Sequence, residues 1–193
     1  YGALLAPTTP SDDELEAFYN HRSSIVTSAD GELLARIGRR GRDWKSLENI
    51  STHVVDALIA TEDTRFYEHQ GVDVKRSFAA LVFTLLGDRQ GGSTITQQLV
   101  RNMYPESIGS ADPITRKLKE VITARKLESI YSKQEILELY LNTVPFLYNA
   151  FGIEMAAETY FNKSAAELTV PESATLVGML KGPAYYNPVR HPE

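Results

Sequence analysis

The sequence predicts a mainly α-helical domain with one small β-hairpin near its start. Beyond residue 43, apolar residues recur at helical spacing. Capping signals open several of those stretches. Only one pair of β-prone runs flanks a turn dipeptide. The first 24 residues are polar, with a Pro/Thr/Ser/Asp cluster at Pro7 to Asp13, and read as a linker with a short helix. Ile25-Val26-Thr27 and Leu33-Leu34-Ala35 then flank Ser28-Ala29-Asp30-Gly31, which reads as the hairpin. His53 to Thr61 carries Val54, Val55, Leu58 and Ile59 on a helical period. Asp112-Pro113 is an N-cap followed by proline at the first helical position, opening a helix to about Tyr131. Ser132 with Glu135, and Thr169 with Glu172, have capping-box spacing. Gly152 to Phe161 is apolar at Ile153, Ala156, Ala157 and Tyr160. The last helix is expected to stop at Gly182-Pro183.

Composition narrows the function classes. The chain has 193 residues, 42% of them hydrophobic, enough for one core and a second small lobe. The net charge of −5 provides no global field toward nucleic acid. Yet Arg89 to Lys126 holds seven Lys or Arg against three acids, a basic island in an acidic protein. Such an island suits an anionic ligand, although a solvated helix face is the plainer reading. With no cysteine, disulfides and Cys-ligated metals are excluded. The longest uncharged apolar run, Ser77 to Gly87, is shorter than the roughly 20 residues a membrane span requires. Taken alone it reads as core, with an interfacial helix as the alternative.

Three segments carry chemistry. In EDTRFYEHQG, Glu62 to Gly71, acids, an aromatic pair and a histidine precede a glycine. A helix end capped by Gly71 is the structural reading. A metal site from Glu62, Asp63, His69 and Asp73 lacks a standard ligand spacing. In GGSTITQQLVRN, Gly91 to Asn102, two glycines lead into a helix whose free N–H groups suit an anion, with Ser93 placed to cap it. Gln97 and Gln98 offer adaptable hydrogen bonds, and Arg101 lies two turns in. In RKLKE, Arg116 and Lys117 can both meet Glu120 on one helix face, though acid after base is the weaker order for helix stability. A sugar leaving from pyrophosphate needs positive charge where negative charge develops, and one base for the attacking hydroxyl. Glycoside hydrolysis needs a proton donor and commonly a second carboxylate. The basic island fits the first demand better.

In this order and spacing the three segments resemble the signature motifs of peptidoglycan glycosyltransferases, glycosyltransferase family 51, the transglycosylase domains of bifunctional penicillin-binding proteins and their monofunctional relatives. KQEILELYLN, Lys133 to Asn142, resembles a fourth motif, and KGPAYYNPVRHPE, Lys181 to Glu193, a fifth. The resemblance covers about Ser24 to the end. It implies a lysozyme-like fold with a larger head lobe and a smaller, membrane-touching jaw. It implies a donor glycan on undecaprenyl pyrophosphate, lipid II as acceptor, and inverting transfer to the GlcNAc 4-hydroxyl in a β-1,4 link. Glu62 matches the general base and Glu120 the second essential glutamate, which either orients the cations or helps hold a metal. Ser93, Gln97, Gln98, Arg101, Arg116 and Lys117 match the donor and pyrophosphate site, and Asp63, Phe66, His69 and Gly71 the scaffold of the first motif. Many members use Mg²⁺ or Mn²⁺, for which Glu120 is the candidate ligand; no organic cofactor is implied.

The resemblance also implies a setting: the extracytoplasmic face of the bacterial cytoplasmic membrane, among other cell-wall synthesis proteins and without nucleic acid. It turns Ser77 to Gly87 toward the bilayer, with Phe78, Phe83 and Leu86 as contacts. It makes residues 1–24 a linker after a spanning helix and residues 25–193 an excised part of the glycosyltransferase domain. The chain departs from the family pattern after Asn142, where Pro145, Leu147 and Asn149 stand in place of a tyrosine and two glycines. The rival readings are a lysozyme-like hydrolase or lytic transglycosylase of finished glycan, and a non-catalytic lipid II-binding module.

Overall fold

The computed structural model describes residues 7–20, 24–28, 30, 33–37, 44–77, 91–148 and 150–182. Phe78, Phe83 and Leu86, together with Asn149 and the tail beyond Gly182, lie outside the described residues. Helix α1 spans Asp12–Asn20, with Asp12, Asp13 and Glu14 in its first turn, where acids suit the helix dipole. It is not a free linker. Leu15 is fully buried, the Tyr131 hydroxyl donates to the Leu15 carbonyl, and the Tyr104 hydroxyl donates to that of Glu14. Strand β1, Ser24–Thr27, pairs antiparallel with β2, Leu33–Ile37, with an irregularity between Val26 and Thr27.

Among the described residues after β2 the regular elements are helices. Helix α2, Thr52–Glu62, buries Val54, Leu58 and Glu62, one stripe at four-residue spacing that ends on a carboxylate. Helix α3 is Ile95–Met103, α4 is Pro113–Ile130, α5 is Lys133–Thr143, α6 is Ile153–Phe161 and α7 is Val170–Lys181. The expected starts are present: Asp112 caps α4 ahead of Pro113, and Ser132/Glu135 and Thr169/Glu172 form capping boxes on α5 and α7. Helix α3 differs. Its N-cap is Thr94, in a capping box with Gln97, and not Ser93. Among the described residues no helix is long and apolar enough to cross a membrane.

The packing gathers the motifs around α3, which lies against both α4 and α5, while α2 packs on α7. Leu58, Phe66, Ile95, Leu99, Leu127, Leu137, Leu139 and Tyr140 are fully or almost fully buried in one core. The segment before α2 is tied to α5: the Trp44 indole and the Leu47 backbone N–H both donate to Glu138, and Lys45 exchanges two hydrogen bonds with Asn142. In the divergent loop after Asn142, the Phe146 N–H bonds the Ala150 carbonyl, and Pro145 bridges Phe151. Tyr148 there takes a left-handed φ of 58°, a conformation usually left to glycine. Gly152 closes the loop at φ +82°, where a Cβ would lie 2.8 Å from the Asn142 carbonyl oxygen.

Candidate functional site

The first motif is a loop hung on its own buried acid. Helix α2 stops at Glu62, nine residues before Gly71, so Gly71 does not cap it. Asp63 is the C-cap and has no exposed surface. Its carboxyl oxygens lie 3.0 and 3.1 Å from His69 Nε2, and one accepts the Ile95 N–H at 3.1 Å. Arg76 approaches Asp63 at 3.9 Å and donates to the Glu62 carbonyl. Arg65 pairs with buried Asp73. Burial works against the Asp73 carboxylate, yet the Arg76 backbone N–H and the Arg65 guanidinium hold its pKa below the usual carboxylate value. Gly71 accepts from the Thr94 hydroxyl at 2.7 Å. Its φ is +76°, and a Cβ would sit 2.6 Å from the Ala124 carbonyl oxygen, so only glycine lets the loop lie this close to α4. Phe66 is buried with its ring edge-on to His69 and Lys133 4.3 Å above it. Asp63, Phe66, His69 and Gly71 thus brace the loop together.

The start of α3 was expected to be an open anion site, and it is closed. Asp63 takes the Ile95 N–H, the Thr94 hydroxyl takes the Gln97 N–H, and the Gln97 side chain takes the Thr94 N–H. Positive charge is gathered elsewhere, around Glu120. This side chain is 2% exposed, while Lys117 Nζ, Arg101 Nη1 and Arg116 Nε stand 3.2, 3.6 and 3.8 Å from it. Lys117 also donates to Ser93 at 2.8 Å and to Gln97 at 3.1 Å. Three acceptors match its three protons, so Lys117 acts as a brace between α3 and α4. Arg101 and Arg116 are each more than a third exposed and keep guanidinium N–H groups for an incoming anion.

Glu62 is the other carboxylate. Gln98 Nε2 donates to its Oε2 at 2.7 Å, and the Tyr140 hydroxyl donates to Gln98 Oε1 at 3.1 Å. Among the described residues nothing hydrogen-bonds the buried Oε1 of Glu62. Burial and the nearby Glu62 charge raise the Tyr140 pKa, with Arg101 partly offsetting them, so the phenol stays a proton donor.

The structure therefore brings Glu62 to Gln98 on α3, and gathers Lys117, Arg101 and Arg116 at Glu120, with Lys117 also reaching Ser93 and Gln97. Gln97 is fully buried; its Oε1 accepts from the Thr94 N–H and from Lys117, while its Nε2 has no hydrogen-bond partner among the described residues. Residues that sequence reasoning passed over are Tyr140, which reads as apolar core of α5, and Arg76, which nothing in the sequence marks. A cavity of about 500 Å³ runs beside Arg101, lined also by Asn102, Pro105, Ser110, Thr143, Pro145 and Phe151. The divergent Pro145 thus faces the same space as the cation. For a metal the residues do not fit. Among the described residues no three His, Asp or Glu lie close enough to hold one. A divalent ion at Glu120 would meet one carboxylate and three cations, against the several oxygen ligands it prefers.

Arg116→Ala is expected to raise the KM for a pyrophosphate-linked donor by roughly ten- to a hundredfold, since a charge-assisted bond is lost from a half-exposed site. Lys is expected not to restore it, because a point charge does not reproduce a two-pronged guanidinium. Steady-state kinetics with the donor varied would check this, and an unchanged KM would remove Arg116 from the anion site.

Residues 30–193 match the family described as Transglycosylase. Penicillin-binding protein 1A of Escherichia coli (strain K12) is 44% identical over 166 residues, covering 85% of this chain and 19% of that protein. The proteins of the same name from Neisseria flavescens and Aquifex aeolicus (strain VF5) are each 39% identical, over 97% and 95% of this chain. The chain spans 23% and 25% of those two relatives. A profile match across most of the chain, with relatives at this level of identity, establishes that the chain belongs to the transglycosylase family.

Proposed function

We propose that this chain is the catalytic domain of a peptidoglycan glycosyltransferase that polymerises lipid II at the outer face of the bacterial cytoplasmic membrane. The observation that carries the reading is the division of labour around α3: one buried carboxylate held by the Gln98 amide with no cation within salt-bridge distance among the described residues, and a separate buried carboxylate wrapped in cations. The acceptor's GlcNAc 4-hydroxyl oxygen attacks the donor's anomeric carbon and hands its proton to Glu62 Oε1. The bond from that carbon to the pyrophosphate oxygen breaks, and its electron pair leaves with the pyrophosphate. Arg101 and Arg116 meet the growing charge. Attack opposite the leaving group inverts the centre and gives a β-1,4 link.

The two-lobed, lysozyme-like shape belongs to the same proposal, as do other cell-wall synthesis proteins as partners. So does membrane contact through Phe78, Phe83 and Leu86. The substrate's polyprenyl tail stays in the bilayer, because each CH₂ brought into water costs about 0.8 kcal/mol. The site must then work at the headgroup level. Incubation with labelled lipid II, followed by gel separation, is expected to give a ladder of glycan lengths. Untouched lipid II together with cleavage of finished cell wall would overturn the reading in favour of a hydrolase or lytic enzyme.

A further inference from the structure

A general base works only if its accepting lone pair points at the hydroxyl to be deprotonated. Glu62 sits at the last position of α2, where backbone constraint ends, and its carboxyl group can rotate unless something holds it. Gln98 holds it, by the 2.7 Å bond to Oε2. A glutamine amide can turn over and present oxygen instead of nitrogen, which would repel the carboxylate and release it. The Tyr140 hydroxyl stands at the far end of that amide, 3.1 Å from Oε1, and Tyr140 itself is 1% exposed and locked in the core. The directions of donation are fixed in turn. A carboxylate can only accept, so the amide must offer NH₂ to Glu62, its oxygen must face Tyr140, and the phenol must donate. The phenolic proton is therefore committed to Gln98 Oε1.

We propose that Tyr140 is a positioning residue for the reaction, which keeps Glu62 Oε1 aimed at the acceptor hydroxyl by fixing the Gln98 amide; this rests on the reading of Glu62 as the base. The relay joins three helices. Glu62 is on α2, Gln98 on α3 and Tyr140 on α5, so their packing sets the direction of one lone pair. Gln98 then belongs to the base and not to the substrate's hydroxyls. The proton transferred never enters the relay: it goes from the acceptor hydroxyl to Oε1, and Gln98 and Tyr140 keep their protons throughout.

The test is a double-mutant cycle on lipid II polymerisation, with kcat and KM measured separately and thermal unfolding recorded for each variant. Tyr140→Phe removes one oxygen and keeps the ring; it is expected to lower kcat about tenfold with KM unchanged. Gln98→Ala is expected to lower kcat by roughly ten- to a hundredfold. In the double variant the Tyr140 change should add almost nothing, because its only route to Glu62 is gone. Multiplied effects in the double variant, or a Tyr140→Phe enzyme within about twofold of wild type in kcat, would overturn the relay. Gln98→Met gives a second route that leaves Tyr140 intact. It keeps side-chain length without either hydrogen bond, and must by itself lower kcat at constant KM. A raised KM with intact kcat would place Gln98 on the substrate and overturn the relay equally. Glu62→Gln separates the two layers. If that variant turns over normally, the base reading and the relay fail together; if it is inactive while the cycle multiplies, only the relay fails.

Discussion

Replacement of Glu62 by Gln is expected to lower polymerisation turnover by roughly 10²–10⁴-fold, the usual worth of a positioned base. The swap is nearly isosteric. The Gln98 amide can still donate to the new side-chain oxygen, so the fold should survive. What disappears is the ability of the open atom to accept a proton. Binding of the lipid-linked donor should change little, because the cations proposed to meet its pyrophosphate surround Glu120 and not Glu62. The measurement is kcat on labelled lipid II beside donor affinity. A loss of less than about tenfold in turnover would remove Glu62 from the base role.

Asp63→Ala should have the largest effect on stability, about 3 kcal/mol. Asp63 is completely buried and serves two segments at once, the Ile95 N–H at the start of α3 and His69 within its own loop. Alanine leaves both without their acceptor in a place water does not reach. His69 Nδ1 already has no partner among the described residues, so the imidazole would lose its remaining anchor. For a domain of this size the melting temperature should fall by roughly 6–12 °C. Asp63→Asn keeps one acceptor and should lose about half as much. Activity should fall as well, since the start of α3 positions Gln98. Thermal unfolding by circular dichroism would show it, and a shift below about 2 °C would mean that Asp63 is not the anchor described.

Local chemistry was the legible part of this chain. Ser132/Glu135, Thr169/Glu172 and Asp112-Pro113 act within one helical turn, so their spacing alone predicted three helix starts that are present. The start of α3 was misplaced by one residue although the signal was there: Thr94 has a glutamine three residues on, whereas Ser93 has Thr96. Other features depend on partners far along the chain. Helix α2 ends at Glu62 because Asp63 is drawn to an N–H 32 residues away. Gln98 turns to Glu62 and to Tyr140, 36 and 42 residues distant, so it read as a sugar contact and Tyr140 as plain core. No periodicity carries that information. The pairing of Arg116 and Lys117 with Glu120 was readable because it closes within one turn. That Arg101 joins them came from its place in the basic island and from the family resemblance, not from helical spacing, because it arrives from another helix.

Gln98 and Arg101 lie on the same short helix, three residues apart. An α-helix rises about 1.5 Å and turns about 100° per residue, so this interval is close to one turn. On the proposed mechanism, helix α3 is in effect a gauge block between the place where a proton is collected and the place where negative charge is discharged. The loop after Asn142 departs from the family pattern by substitution, and one of the substituted residues, Pro145, lines the cavity. One residue added to α3 between Gln98 and Arg101 would swing the guanidinium about 100° off Glu120 and carry the buried Met103 round with it. The domain's tolerance to drift is therefore lopsided: generous around the rim of the site, and close to zero along nine residues at its axis.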